Sequence, residues 1–199
     1  MKYIMHRRNT LIELNNTPLD CGVEVDIRSD AGRLVIHHDP LVVGEDFDSW
    51  VAAYKHGTLI LNVKEEGLEQ AILACMSKYK ISDFFFLDQS FPFLIKWAKK
   101  GERRCAARVS EFESIETVLS LAGLIDWVWV DCFTRFPLGK ADYQRLINAG
   151  FKLCLVSPEL QGRNAELEIP QMLELIKTEG MKMDAVCTKR PDLWGHSDA

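Results

Sequence analysis

The chain has 199 residues, enough for one ordinary domain with a sizeable core, and its 47% apolar and 27% charged content is that of a globular protein. A net charge of −5, with Lys and Arg scattered along the chain, excludes the basic face of a general nucleic-acid binder. No apolar stretch reaches the roughly 20 residues of a membrane span. Tyr3-Ile4-Met5 runs straight into His6, which argues against a signal-peptide core.

Short β-rich runs recur, with helical patterns between most of them. The first strand, Lys2 to Met5, is followed by only a stub of helix within Thr10 to Thr17. The second, Gly22 to Ile27, acquires a hairpin partner in Leu34 to His37, with Asp30-Ala31-Gly32 as the turn. Leu41 to Thr58 follows, where Phe47, Trp50 and Tyr54 stand at near-helical spacing and read as core or cover. Next come a strand at Leu59 to Val63 and a helix at Leu68 to Lys80, with Leu68, Ile72, Leu73 and Met76 on one face. Strand and helix then alternate: Asp83 to Leu87, Phe91 to Lys99, Cys105 to Val109, Ile115 to Leu121, Trp127 to Val130, and Ala141 to Ala149. The series ends with a strand at Leu153 to Val156, a helix at Pro170 to Thr178 and a strand at Ala185 to Cys187. Eight strands alternating with helices predict an α/β chain with a parallel sheet, open or closed. Closure into a (β/α)8 barrel fits the count, the saving in length coming from the early connections.

The six cysteines form no CxxC pair, and most lie inside apolar runs, where Cys behaves as a small hydrophobe. A zinc site and a disulfide framework are not expected, and the usage suggests a reducing, cytoplasmic setting.

In barrels of this kind the active site lies at the C-terminal ends of the strands. His6, Glu24, Asp26, Asn62, Lys64, Asp88, Arg108, Asp131 and Ser157 all fall at or just past such ends. Glu24 and Asp26 are two apart and share a strand face. Their mutual repulsion is relieved by a bound cation, for which oxygen ligands suit Mg2+ or Ca2+, or by pairing with Arg28 or Arg33. Arg7 can hold a phosphate by two parallel hydrogen bonds. His38 closes the hairpin and precedes Asp39-Pro40, so Asp39 is placed to orient its imidazole, while His37 points the other way. His6 and His38 then form an acid/base pair. Ser157 has no GxSxG setting, and no P-loop or dinucleotide fingerprint is present.

His6-Arg7, Glu24-Val25-Asp26 and His38-Asp39-Pro40 together resemble the glycerophosphodiester phosphodiesterase family and, more widely, the barrel-type phosphodiesterases related to sphingomyelinase D. Asn9-Thr10 is similar to the family's Asn-Thr, and Met183 to Pro191 is similar to its last strand. The resemblance implies a compact (β/α)8 TIM-type barrel with shortened early connections, formed by residues 1–199 as a single domain. It implies a phosphoric diester hydrolase that uses a divalent cation, Mg2+ or Ca2+. Carried over residue by residue, His6 and His38 are catalytic acid and base, Arg7 and Lys64 bind phosphate, and Glu24, Asp26 and position 62 bind metal. The substrate it implies is a small-molecule or lipid-headgroup phosphodiester, and no nucleic acid is expected as a partner.

Two departures qualify these expectations. The family's third strand carries an acid two residues before its Lys; here it reads Asn62-Val63-Lys64. An amide oxygen still ligates a hard cation but adds no charge, so weak metal binding is expected. Glu66 lies on the same alternation and is a possible substitute. The family's insertion after His-Asp-Pro is also missing, which leaves the mouth open to a larger or membrane-borne ester. The alternatives are a non-catalytic phospholigand-binding barrel with a degraded metal site, and a lyase that releases a cyclic phosphate.

Overall fold

The computed structural model describes residues 1–196, and its packing separates two units: Ile4–Lys100, and residues 101–196 together with Met1–Tyr3. β1 (Lys2–Met5) contributes its first two residues to the second unit and Ile4-Met5 to the first, which also takes in α1 (Leu11–Asn15), β2 (Gly22–Asp30), β3 (Arg33–Ile36), β4 (Glu45–Asp46) and α2 (Phe47–Ala53). It continues with β5 (Leu59–Val63), α3 (Glu69–Lys78), β6 (Phe84–Leu87) and α4 (Phe91–Lys99). Here β2 pairs in parallel with β1, Ile4 opposite Gly22, and with β5, Asp26 opposite Asn62. β5 in turn pairs in parallel with β6. Leu59-Ile60-Leu61 and Phe84-Phe85-Phe86 are buried on both faces, as parallel strands covered by helices require.

β2 runs three residues beyond the predicted Ile27. Arg28, Ser29 and Asp30 pair antiparallel with Val35, Leu34 and Arg33 of β3. The two residues between Asp30 and Arg33 are Ala31 at φ 47° and Gly32 at φ 80°. Two positive φ values in a two-residue loop match the twist of a hairpin, which extends the ladder through residues too polar to read as strand. This hairpin carries the chain to His38. The aromatic spacing after it resolves into α2, with Phe47 and Trp50 fully buried and Asp46 capping Ser49 N at 2.8 Å.

The second unit holds β7 (Ala106–Val109), α5 (Ile115–Leu119), β8 (Trp127–Val130), α6 (Lys140–Asn148), β9 (Lys152–Val156), α7 (Ala165–Thr178) and β10 (Ala185–Thr188). Its strands lie in the order β7-β8-β9-β10, all parallel, and Lys2 N donates to Asp184 O at 2.8 Å. Trp127 and Trp129 are both buried in β8. Helix α7 begins five residues before the predicted Pro170. Asn164 is its N-cap, and its side chain accepts Leu167 N at 3.2 Å. Pro170 therefore stands inside the first two turns, where the missing N–H removes a single hydrogen bond.

Among the described residues no helix is long and apolar enough to cross a membrane.

Candidate active site

All seven residues expected to do chemistry lie in the first unit, at the C-terminal ends of β1, β2 and β5 and just past the hairpin. Glu24 and Asp26 are fully buried on one face of β2, and Asn62 is 6% exposed on the neighbouring strand. Arg28, the alternative partner for the two carboxylates, is engaged elsewhere. Its Nε and Nη2 donate to His38 O at 3.1 and 2.8 Å, which pins the end of the hairpin.

Donors converge on the carboxylates instead. Glu24 Oε2 accepts Arg7 N at 2.7 Å and lies 3.8 Å from His6 Nε2. Glu24 Oε1 accepts Asn62 Nδ2 at 2.8 Å. Arg7 reaches this position in a left-handed backbone conformation, φ 50°, which costs a non-glycine residue roughly 1 kcal/mol. That turn sends its guanidinium toward Asp26, with Nε 3.6 Å from Oδ2. Asp26 is also clamped by Asn9, which donates from Nδ2 to Oδ2 at 2.8 Å and accepts Asp26 N at 3.0 Å. Lys64 Nζ lies 3.2 Å from Asp26 Oδ1 and 3.6 Å from Asp88 Oδ2. Asn9 was legible only as part of a motif; its place two residues after Arg7 is the signal that it braces the carboxylate.

Burial is the main force that raises the Glu24 carboxyl, to about 7, and the Asp26 charge adds to it. The Asn62 and Arg7 hydrogen bonds and the Lys64 charge oppose the rise without cancelling it. The donor set suits a hard cation. It consists of two buried carboxylates and an amide oxygen, Asn62 Oδ1, that is buried with no hydrogen-bond partner. Glu66 is exposed and lines a neighbouring cavity with Lys64.

His38 Nδ1 lies 2.8 Å from Asp39 Oδ1, leaving Nε2 for chemistry. The hydrogen bond to His38 holds the Asp39 carboxyl below its ordinary range. His37 Nδ1 accepts Asp39 N at 3.0 Å, so both imidazoles are organised by the same residue.

The rim candidates of the second unit are engaged with one another. Arg108 Nη1 lies 3.2 Å from Asp131 Oδ2, and Asp131 Oδ1 accepts Gln161 Nε2 at 2.7 Å. Ser157 is fully buried; its hydroxyl donates to Glu159 and accepts Trp194 Nε1 at 2.7 Å. Such a hydroxyl is a structural bridge and not a nucleophile.

No protein-family model and no curated protein matches the chain. Solved structures do. A glycerophosphodiester phosphodiesterase from Agrobacterium tumefaciens shares 13% identity at a TM-score of 0.67, over 97% of this chain and 98% of that one. A glycerophosphoryl diester phosphodiesterase from Parabacteroides distasonis shares 12% at 0.65, over 96% and 84%. A tryptophan synthase α-subunit from Pyrococcus furiosus shares 10% at 0.56, over 94% and 86%. These likenesses establish the fold, an α/β chain of the TIM type, with β1 to β2 bridged by a five-residue helix.

Proposed function

We propose that this chain is a single-domain, metal-assisted phosphodiesterase of the glycerophosphodiester type that acts in the cytoplasm on a small-molecule or lipid-headgroup diester. The observation that carries the reading is the convergence of His6, Arg7, Asn62 and Lys64 on the buried pair Glu24 and Asp26. Two buried acids surrounded by an imidazole, a guanidinium and an ammonium form a poor structural core and a good phosphate site. The solved phosphodiesterases of the same fold support the reaction class, but an α-subunit of tryptophan synthase shares that fold too, so the site has to bear the argument.

In this reading Glu24, Asp26 and Asn62 Oδ1 hold Mg2+ or Ca2+, whose bound form supplies charge neutralisation at a phosphoryl oxygen. Arg7 and Lys64 fix the remaining phosphate oxygens, their charges held in place by Asp26. His38, with Nδ1 on Asp39, presents Nε2 as one proton-transfer group, and His6 is the other. One takes the proton of the attacking hydroxyl and the other gives a proton to the leaving alcohol. His6→Ala and His38→Ala should each lower turnover of bis(p-nitrophenyl) phosphate at least about 100-fold. Wild-type rates in both variants would exclude the assignment. Phosphorus NMR of the product separates hydrolysis from release of a cyclic phosphate.

A second reading has its own support. The Asn62 amide donates to Glu24 and the Lys64 ammonium sits on Asp26, so both carboxylates are partly compensated by the protein itself. That arrangement suits a phospholigand-binding barrel without turnover. Binding of a phosphate ester that resists chelator, with no cleavage in any metal, would select it.

A further inference from the structure

The chain between β3 and β4, residues 37–44, is a hairpin loop closed at its foot by the pairing of Ile36 with Glu45. Both of its ends are fixed. His37 N donates to Asp26 O at 3.0 Å, and Arg28 holds His38 O. At the far end a Cβ on Gly44 would lie 2.5 Å from Ile36 O, so only glycine lets the returning backbone come this close. Between these anchors stand Leu41, Val42 and Val43. Leu41 is fully exposed, Val43 is 90% exposed and Val42 is half-exposed. Leu41 is also held at φ 61°, a left-handed backbone that a bulky residue seldom adopts. The fold draws no packing from this side chain, and a glycine would sit there without strain.

An exposed run of large aliphatic side chains marks an interaction surface. Its form points to a lipid surface as the partner. A stable protein interface buries about 800 Å2 on each side, of which a tip of three residues supplies a fraction. Its hot spots are Trp, Tyr and Arg, with Leu and Val under-represented. A bilayer sets no such threshold, because binding strength scales with the apolar area inserted. The charge pattern selects the lipid. From His37 to Tyr54 the chain carries Asp39, Glu45, Asp46 and Asp48 and no Lys or Arg. That is the opposite of a polybasic segment that seeks anionic headgroups, so the surface it fits is zwitterionic. Helix α1 is tied to the foot of the same loop by Leu11 N, which donates to Glu45 Oε2 at 2.9 Å, and its Ile12 is also exposed.

We propose that Leu41, Val42 and Val43 insert into the headgroup–acyl boundary of a zwitterionic bilayer and dock the protein there through this loop. The consequence for the site follows from chain connectivity. Pro40 alone separates Asp39 from Leu41, so docking brings His38 and Asp39 to the level of the headgroups, where the phosphodiesters of membrane lipids lie. That consequence rests on the reading of His38 as a proton-transfer group; the insertion itself does not.

Co-sedimentation of the intact protein with sucrose-loaded phosphatidylcholine vesicles tests the insertion. The wild-type protein should pellet with the lipid at low and at high salt, and added phosphatidylglycerol should not strengthen the effect. The double variant Leu41→Ser/Val43→Ser should partition at least about tenfold more weakly. Both positions are exposed, so its circular dichroism and its turnover of soluble bis(p-nitrophenyl) phosphate should match wild type. Wild-type protein that stays in the supernatant, or a double variant that partitions as wild type does, overturns the proposal. Pelleting that requires phosphatidylglycerol and vanishes in high salt overturns it as well, since that is electrostatic adsorption. Self-association without lipid that the double variant abolishes would place a second copy on the tip instead. Absence of turnover on any soluble diester defeats the catalytic reading alone, because vesicle partitioning is measured without it.

Discussion

Glu24 concentrates the electrostatics of the site. Its carboxyl is raised from 4.5 to about 7, chiefly by burial and then by Asp26, so the folded state favours the protonated form. The sign follows from linkage. The stabilisation from this group is complete below about pH 4.5 and is lost as pH rises through about 7. In chelator, the loss across that window should amount to about 3 kcal/mol, read from urea midpoints at a series of pH values. Glu24→Gln should flatten the profile, and a slope unchanged in that variant would contradict the assignment. Asn62 is the companion case. Its amide compensates Glu24 at 2.8 Å where an acid would repel it. Asn62→Glu should therefore destabilise the chelated protein and tighten Ca2+ binding roughly tenfold or more, since charge count sets affinity at such sites. The gap between melting temperatures with Ca2+ and with chelator measures both effects. An unaltered gap means that position 62 is not a ligand.

The strands owe their register to close backbone packing as much as to apolar side chains. A Cβ at Gly22, where β2 begins beside β5, would lie 2.4 Å from Thr58 O and 3.0 Å from an Ile4 side-chain carbon. Gly22→Ala should cost about 1–3 kcal/mol in denaturant titration, because a backbone carbonyl cannot step aside as a side chain does. A midpoint equal to wild type would mean that β1 and β5 approach β2 less closely. The strands were the most legible elements in the sequence: Lys2 to Met5, Leu59 to Val63 and Trp127 to Val130 are found with the bounds their apolar runs suggested. The misses have local causes. Pro170 imitates a helix start, while the true cap, Asn164, lies in a polar stretch that reads as loop. β2 overruns Ile27 because pairing, not hydropathy, holds Arg28 to Asp30. His6, Glu24, Asp26 and Lys64 stood in the sequence as separate short pieces near the ends of three strands, and the structure brings them into one cluster.

The fold alone leaves the activity open, since phosphodiesterases and a tryptophan synthase α-subunit share it with this chain. What separates an enzyme from a binding barrel is whether two buried carboxylates already compensated by Asn62 and Lys64 still recruit a cation. The mild net charge of −5 neither draws in nor repels a small phosphodiester strongly, so local groups decide. The most direct test is turnover of a broad glycerophosphodiester panel by the purified wild-type protein, assayed with Mg2+, Ca2+ or Mn2+, then with chelator, then with metal restored. The proposed function predicts cleavage that disappears with chelator, returns with metal and is absent in His6→Ala. No cleavage of any diester under any of these conditions would contradict it and leave the site as a binder of phosphate esters.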